Sequence, residues 1–272
     1  METMSFGART KIAMPDIGLG TWRIGGSFTA DGSQDVSEIE AVSKAIEMGY
    51  RFIDTAEMYG NGHSEELVGT AATDREIFIA TKVWQTNLRY DDVLKAAGRS
   101  LKRLKRKYID LYQIHWPSDS IPLRETMRAM EKLADDGIIR HIGVSNFGVE
   151  LLEDASSHLS RHEIISDQVS YSIADREPEK GLTEYCRKHG IGIIAYEPLA
   201  KGKVFEGRNG RVLAEAASMV SRTPAQVALN WLMCKRALPI PKSVDFGHLS
   251  ENLGATGWRL PEKVMKFMDE SL

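Results

Sequence analysis

Four side chains in the first half of the sequence form a set suited to moving a proton. Asp54 follows the run RFI at 51–53, Tyr59 comes five residues later in RFIDTAEMYG, Lys82 lies near the end of EIFIATKV, and His115 ends YIDLYQIH. A phenol has a pKa of about 10, too high to donate readily at neutral pH. A nearby ammonium favours phenolate and lowers that value, and a carboxylate behind the ammonium keeps it charged and oriented. Asp54, Lys82 and Tyr59 fit that chain. A neutral imidazole donating from His115 would hold and polarise a carbonyl, leaving Tyr59 as the proton donor. Taken singly, each has a plainer explanation: an Asp after a strand caps a turn, a Lys snorkels to water, and a His or Tyr packs with its polar tip satisfied. Their joint placement argues for chemistry, because three strand ends and one loop would supply an acid, a base, an imidazole and a phenol to one mouth.

The elements that must carry them alternate. Strand-like runs fall at 16–20, 51–55, 76–83, 108–115, 138–145, 163–170, 190–196 and 237–241. Helix-like segments lie between them, at 36–48, 64–72, 90–105, 123–136, 148–156, 178–189, 212–220 with 224–234, and 247–253. Thr223 followed by Pro224 reads as an N-cap with proline at the first helical position, and Gly49 and Gly190 read as left-handed C-caps. Strict alternation calls for a parallel sheet with right-handed crossovers, and eight units point to a closed α/β structure, a (β/α)8 TIM barrel spanning 1–272 as one domain. An open doubly wound sheet is the competing arrangement. It lacks support because GLGTWRIGG and GNGHSE both miss G-x-G-x-x-G. TKIAMPDIG, before the first barrel strand, suggests a hairpin closing the barrel bottom. A barrel places its active site at the C-terminal strand ends. Besides the first four residues, Ser145, Asn146, Gln168, Tyr196 and Lys242 stand there.

Composition narrows the function classes. With 42% hydrophobic and 27% charged residues in 272, the chain can bury a large core, and a net charge of -3 supplies no field for nucleic acid or an anionic membrane. Cys186 and Cys234 form neither a CxxC pair nor a disulfide framework, METMSFGARTK has no apolar leader core, and no run is long enough to span a bilayer. A cytoplasmic protein is expected. His158 and His162 have the spacing of a helical metal pair without HExxH or a third ligand, so no metal is expected. KRLKRK at 102–107 reads as a solvated helix end whose cations favour the dipole.

The motifs GLGTW (18–22), GYRFIDTAEMYGNGHSEELVG (49–69), TKVW (81–84), DLYQIHWP (110–117), GVSNF (143–147), AYEPLA (195–200) and IPKS (240–243) together resemble the aldo-keto reductase superfamily over nearly the whole chain. The resemblance implies a TIM barrel that transfers a hydride between a nicotinamide cofactor, usually NADPH, and a carbonyl or alcohol without a metal. It places the catalytic tetrad on Asp54, Tyr59, Lys82 and His115. Ser145, Asn146 and Gln168 would hold the nicotinamide carboxamide and Tyr196 would stack on its ring. Thr21, Trp22 and Arg23 would run beneath the cofactor, Leu199 and Lys201 near the pyrophosphate, Lys242 and Ser243 at the adenosine 2′-phosphate, and Glu251 and Asn252 at the adenine. Trp22, Trp84 and Trp116 would wall a substrate pocket together with Tyr59 and His115.

Two positions depart from the family pattern. His248 stands where an arginine usually grips the 2′-phosphate, which weakens selectivity for NADPH and leaves NADH possible. Glu197 replaces a common serine. The short segment PSDSIPLRET after Trp116 implies an open pocket and broad specificity for a small-molecule carbonyl, as in prokaryotic-type members. A monomer is slightly favoured. The alternatives are a cofactor-binding regulatory subunit on the same scaffold and a barrel hydrolase, the latter lacking a carboxylate pair or metal ligands at the strand ends.

Overall fold

A computed structural model describes residues 4–272. A hairpin of β1 (Met4–Phe6) and β2 (Ile12–Met14) precedes eight barrel strands. These are β3 (Leu19–Gly20), β4 (Phe52–Asp54), β5 (Phe78–Val83), β6 (Ile109–Ile114), β7 (Ile139–Ser145), β8 (Ile164–Ser170), β9 (Gly192–Tyr196) and β10 (Ala237–Pro239). Each pairs in parallel with the next in chain order. The ring closes where Gly18 N–H donates to Pro239 O (3.0 Å) and Gly20 N–H to Pro241 O (3.2 Å). Gly20 is required at this seam, since a Cβ there would sit 2.7 Å from Ile240 O.

The outer layer comprises α1 (Asp35–Met48), α2 (His63–Ala71), α3 (Tyr90–Leu104), α4 (Leu123–Asp135), α5 (Val149–Ser157), α6 (Leu182–His189), α7 (Gly207–Val220), α8 (Pro224–Cys234), α9 (Phe246–Leu253) and α10 (Glu262–Ser271). All eight predicted strands and the helices between them are present within a few residues of their sequence positions. α8 starts as expected, with Thr223 and Gln226 exchanging both capping-box hydrogen bonds at 3.2 Å. Gly190 takes the left-handed conformation (φ 72°) and Gly49 also has positive φ (120°).

Two apolar cores result. The larger lies between the outward strand faces and the helices. The smaller fills the lower barrel with Phe52, Ala80, Leu111, Ile165, Ile194, Leu238 and Ile240, and the hairpin adds Met4, Phe6 and Met14 from below. Phe6 fills the space that a side chain at Gly192 would need, with its Cδ1 2.0 Å from where that Cβ would lie. The hairpin thus closes the barrel bottom, although its first strand comes from residues 4–6, upstream of the stretch predicted to form it.

Candidate active site

At the upper end of the barrel, β4 and β5 run side by side, with Asp54 paired to Ala80. Lys82 is completely buried and Asp54 almost so. The Lys82 ammonium has three hydrogens and three acceptors: Asp54 Oδ2 at 2.7 Å, Thr55 O at 2.9 Å and Tyr59 Oη at 3.3 Å. Gln168 Nε2 holds the other Asp54 oxygen at 2.7 Å. A charge buried this deeply is tolerable only when paired and hydrogen-bonded, and here both members are.

Tyr59 reaches this cluster through an unusual turn. After it, Gly60 (φ 57°), Asn61 (φ 52°) and Gly62 (φ 94°) all take positive φ, which folds the chain back over the barrel mouth before α2 starts. A side chain at Gly60 would collide with Gly25 O at 2.2 Å, and Gly60 N–H donates to Ser27 O at 2.7 Å. The Tyr59 ring meets Trp22 edge-on (centroids 5.0 Å) and His115 likewise (5.6 Å), while Trp84 packs edge-on against His115 at 5.0 Å. The four proton-handling residues and two of the three tryptophans therefore converge. Trp116 is 42% exposed on the rim beside His115.

The electrostatics differ from the sequence argument at one point. Burial pushes the Tyr59 phenol well above its ordinary value, reinforced by the Asp54 charge and Tyr196, so the ammonium beside it does not make a phenolate. Lys82 is itself drawn down by burial, against the pull of Asp54. Tyr59 is accordingly a neutral phenol poised to donate. Burial, aided by the Lys82 charge, brings the His115 imidazole down to about 2, which keeps it neutral as expected. Its Nδ1 is buried without a partner.

A second hydrogen-bonded chain leads away from Asp54. Ser145 Oγ donates to Gln168 O (2.8 Å), Asn146 Nδ2 to Ser145 Oγ (3.0 Å) and His115 O (3.1 Å), and Tyr196 Oη to Asn146 Oδ1 (2.9 Å). Asn146 holds φ at 64°, a conformation asparagine accepts more readily than most residues. Ser145, Asn146, Gln168 and Tyr196 thus form one polar wall joined to the Lys82–Tyr59 pair.

Residues 16–272 match the family model described as "Aldo/keto reductase family". The chain belongs to this family. Among solved structures, the thermostable aldo-keto reductase Tm1743, in complex with the inhibitor epalrestat, superposes with a TM-score of 0.95 at 46% identity, covering 100% of both chains. An aldo-keto reductase from Klebsiella pneumoniae in complex with NADPH gives 0.87 at 32% identity over 99% of this chain and 95% of that one. Methylglyoxal reductase DkgB from Escherichia coli O157:H7 is 35% identical over 92% of this chain and 90% of its own.

In this aldo/keto reductase the remaining candidates differ in their surroundings. Thr21 Oγ1 donates to Asp54 O at 2.9 Å, and Arg23 is exposed with φ 69°. Arg23 and Lys242 share a rim: burial lowers the Lys242 ammonium, with Arg23 adding to the effect and Glu38 opposing it. Leu199 packs against the main core, whereas Lys201 is paired with Glu197 Oε1 at 2.7 Å. Ser243 Oγ accepts from Asp245 N (3.0 Å), and Asp245 caps α9 by accepting from His248 N (2.8 Å). His248 is largely exposed, Glu251 half-buried and Asn252 buried.

Three features escaped the sequence reading. Glu57 is buried and accepts from Trp84 N (2.7 Å), Asn87 Nδ2 (2.9 Å) and Arg99 (3.3 Å), locking the loop after β4 to the loop after β5. Phe28, 67% exposed, packs on Trp22 at 5.6 Å. Arg103, read as part of a solvated helix end, instead reaches the buried Glu65 at 2.6 Å, while Lys102 and Lys105 stay exposed. His158 pairs with Asp154 (3.2 Å) and His162 with Asp135 (2.9 Å), beyond the last residue of α5.

Proposed function

We propose that the protein reduces small aldehydes and ketones, methylglyoxal among them, to alcohols, with NADPH as hydride donor and NADH as an alternative. One observation carries this reading: Lys82 donates its third hydrogen to the Tyr59 oxygen. With Lys82 donating, the phenol's own hydrogen is free for a carbonyl oxygen held beside His115. The methylglyoxal reductase named above and the Klebsiella complex with NADPH support the substrate class and the cofactor.

The donor set suits a dinucleotide. Ser145, Asn146 and Gln168 would orient a carboxamide and Tyr196 would back an aromatic ring. Arg23 and Lys242, like charges on one rim, would be relieved by a polyanion. Bound there, the cofactor supplies the hydride. Tyr59 delivers the proton, Lys82 and Asp54 hold its oxygen in place, and neutral His115 directs the carbonyl without competing for the proton. Trp22, Trp84 and Trp116 form the apolar wall, and the exposure of Trp116 and Phe28 fits an open pocket with broad specificity. No helix among the described residues is long and apolar enough to cross a membrane, and the free thiols Cys186, buried, and Cys234 suit a reducing compartment. We place the protein in the cytoplasm as a monomer, working as one domain over 1–272.

The test follows cofactor absorbance with NADPH, then NADH, over a panel of aldehydes and ketones. Tyr59→Phe should lower turnover by about 10²–10⁴-fold while binding NADPH normally. Undiminished turnover in the variant would overturn the donor assignment. Wild-type protein that binds NADPH and turns over no carbonyl would instead be a cofactor-binding regulatory protein.

A further inference from the structure

His63 opens α2 directly after the Tyr59–Gly62 turn. Its two ring nitrogens both face carboxylates: Nδ1 lies 2.9 Å from Glu66 Oε2 and Nε2 lies 2.8 Å from Asp35 Oδ1. A neutral imidazole has one N–H and one lone pair, and an ionised carboxylate has only lone pairs to offer. Both contacts are hydrogen bonds only when the ring carries two protons. Asp35 is the first residue of α1 and Glu66 belongs to α2, so the doubly protonated ring ties one helix start to the other.

What lies beneath this tie is the pocket wall. Gly25 is packed so tightly against α2 that a Cβ there would lie 2.9 Å from Ser64 N and 3.1 Å from His63 Cδ2, and Gly25 N–H donates to Glu38 of α1 at 2.7 Å. Ser27 O accepts from Gly60 N, and Trp22 and Phe28 flank these contacts along the chain, packed on each other and, through Trp22, on Tyr59.

We propose that His63 is a positioning residue for the substrate pocket, an imidazolium bridging Asp35 and Glu66 that holds the loop carrying Trp22 and Phe28 against the Tyr59 turn. The other charged groups around it are Asp31, from the loop before α1, and Glu65 and Arg103, which engage each other on α2 and α3. The hydrogen bond to Glu66 raises the His63 pKa above 6.5, burial opposes, and Asp35 adds to the rise. The bridge is therefore complete below the ordinary histidine value and opens as pH climbs through the raised one. Its kinetic arm rests on the carbonyl-reductase reading, whereas its titration arm does not.

Two measurements test it. In an NMR titration of the full chain, the His63 ring should titrate above 6.5 and fall back toward that value in Asp35→Asn and in Glu66→Gln. A wild-type midpoint at or below 6.5 would overturn the bridge. In steady-state kinetics with methylglyoxal, KM of the wild type should rise about fivefold as pH passes the midpoint, with kcat unchanged. His63→Gln should show the higher KM at every pH, and His63→Lys, charged throughout, the lower one. Equal KM values for wild type and His63→Gln across the range would overturn the positioning role. Absence of turnover with any carbonyl would defeat the assigned reaction alone, and the titration would still decide the bridge.

Discussion

The barrel has two interiors, one step apart along the same strands. Phe52 and Ala80 point into the lower cavity, where the hairpin meets them with Phe6 and Met14. Two residues further along, the same faces of β4 and β5 present Asp54 and Lys82, hydrogen-bonded at 2.7 Å. A strand returns to the same face every second residue, so one layer suffices to pass from apolar core to ionised centre. The lower layer is stabilised by area removed from water and needs no particular partner. In the upper layer the buried Asp54–Lys82 pair is tolerated only because both members are paired and hydrogen-bonded. Substitutions in the two layers should therefore fail in different ways.

The largest effect is expected from Lys82→Met. It leaves Asp54 ionised and buried with only Gln168 as side-chain partner, which should cost about 3–5 kcal/mol of stability and nearly all turnover. Adding Asp54→Asn should recover most of that stability and none of the turnover, as read by urea unfolding beside the carbonyl assay. A double variant no more stable than the single one would mean that the upper layer is not governed by pairing. Phe6→Ala, in the plug, should cost about 3 kcal/mol or more through the cavity it leaves, while kcat of the folded fraction stays unchanged. Lost kcat at full folding would show that the two layers are mechanically coupled.

The third effect is confined to acid and is the smallest near neutral pH. His115 refuses a proton in the folded protein down to about 2, whereas the unfolded chain takes one up near 6.5. Its contribution is complete above 6.5 and declines as pH falls below it, by at most about 1.4 kcal/mol per pH unit. His115→Gln should flatten this part of the pH–stability curve measured by denaturant midpoint. An unchanged slope would mean that the imidazole titrates normally and that the mouth is wetter than the plug.

The same contrast explains what the sequence made legible. Strands, helices and their caps repeat with a period and could be placed from it. Residues at strand ends stood out because a barrel has one functional face. Glu57 had no such signal. It lies in a turn where an acid is ordinary, and its partners Trp84, Asn87 and Arg99 arrive from other loops and from α3. Arg103 sat in a basic run suited to a helix end, and only packing of α2 against α3 shows that its partner Glu65 is buried. Tyr59 is a proton donor in both readings, and only the direction of its pKa shift differs, for a related reason. The ammonium could be anticipated from its position in the chain, but the depth of burial that outweighs it is a property of the assembled mouth.

The seam between β3 and β10 carries a consequence for how the molecule comes into being. Its two hydrogen bonds run from Gly18 and Gly20 to the carbonyls of Pro239 and Pro241, and proline has no N–H with which to answer. This one-way clasp joins strands far apart in the chain, so it can form only once the last strand has been synthesised. Thr21 and Trp22 follow one side of the clasp and Lys242 the other. Closure of the ring is thus what brings Thr21 and Trp22 alongside Lys242.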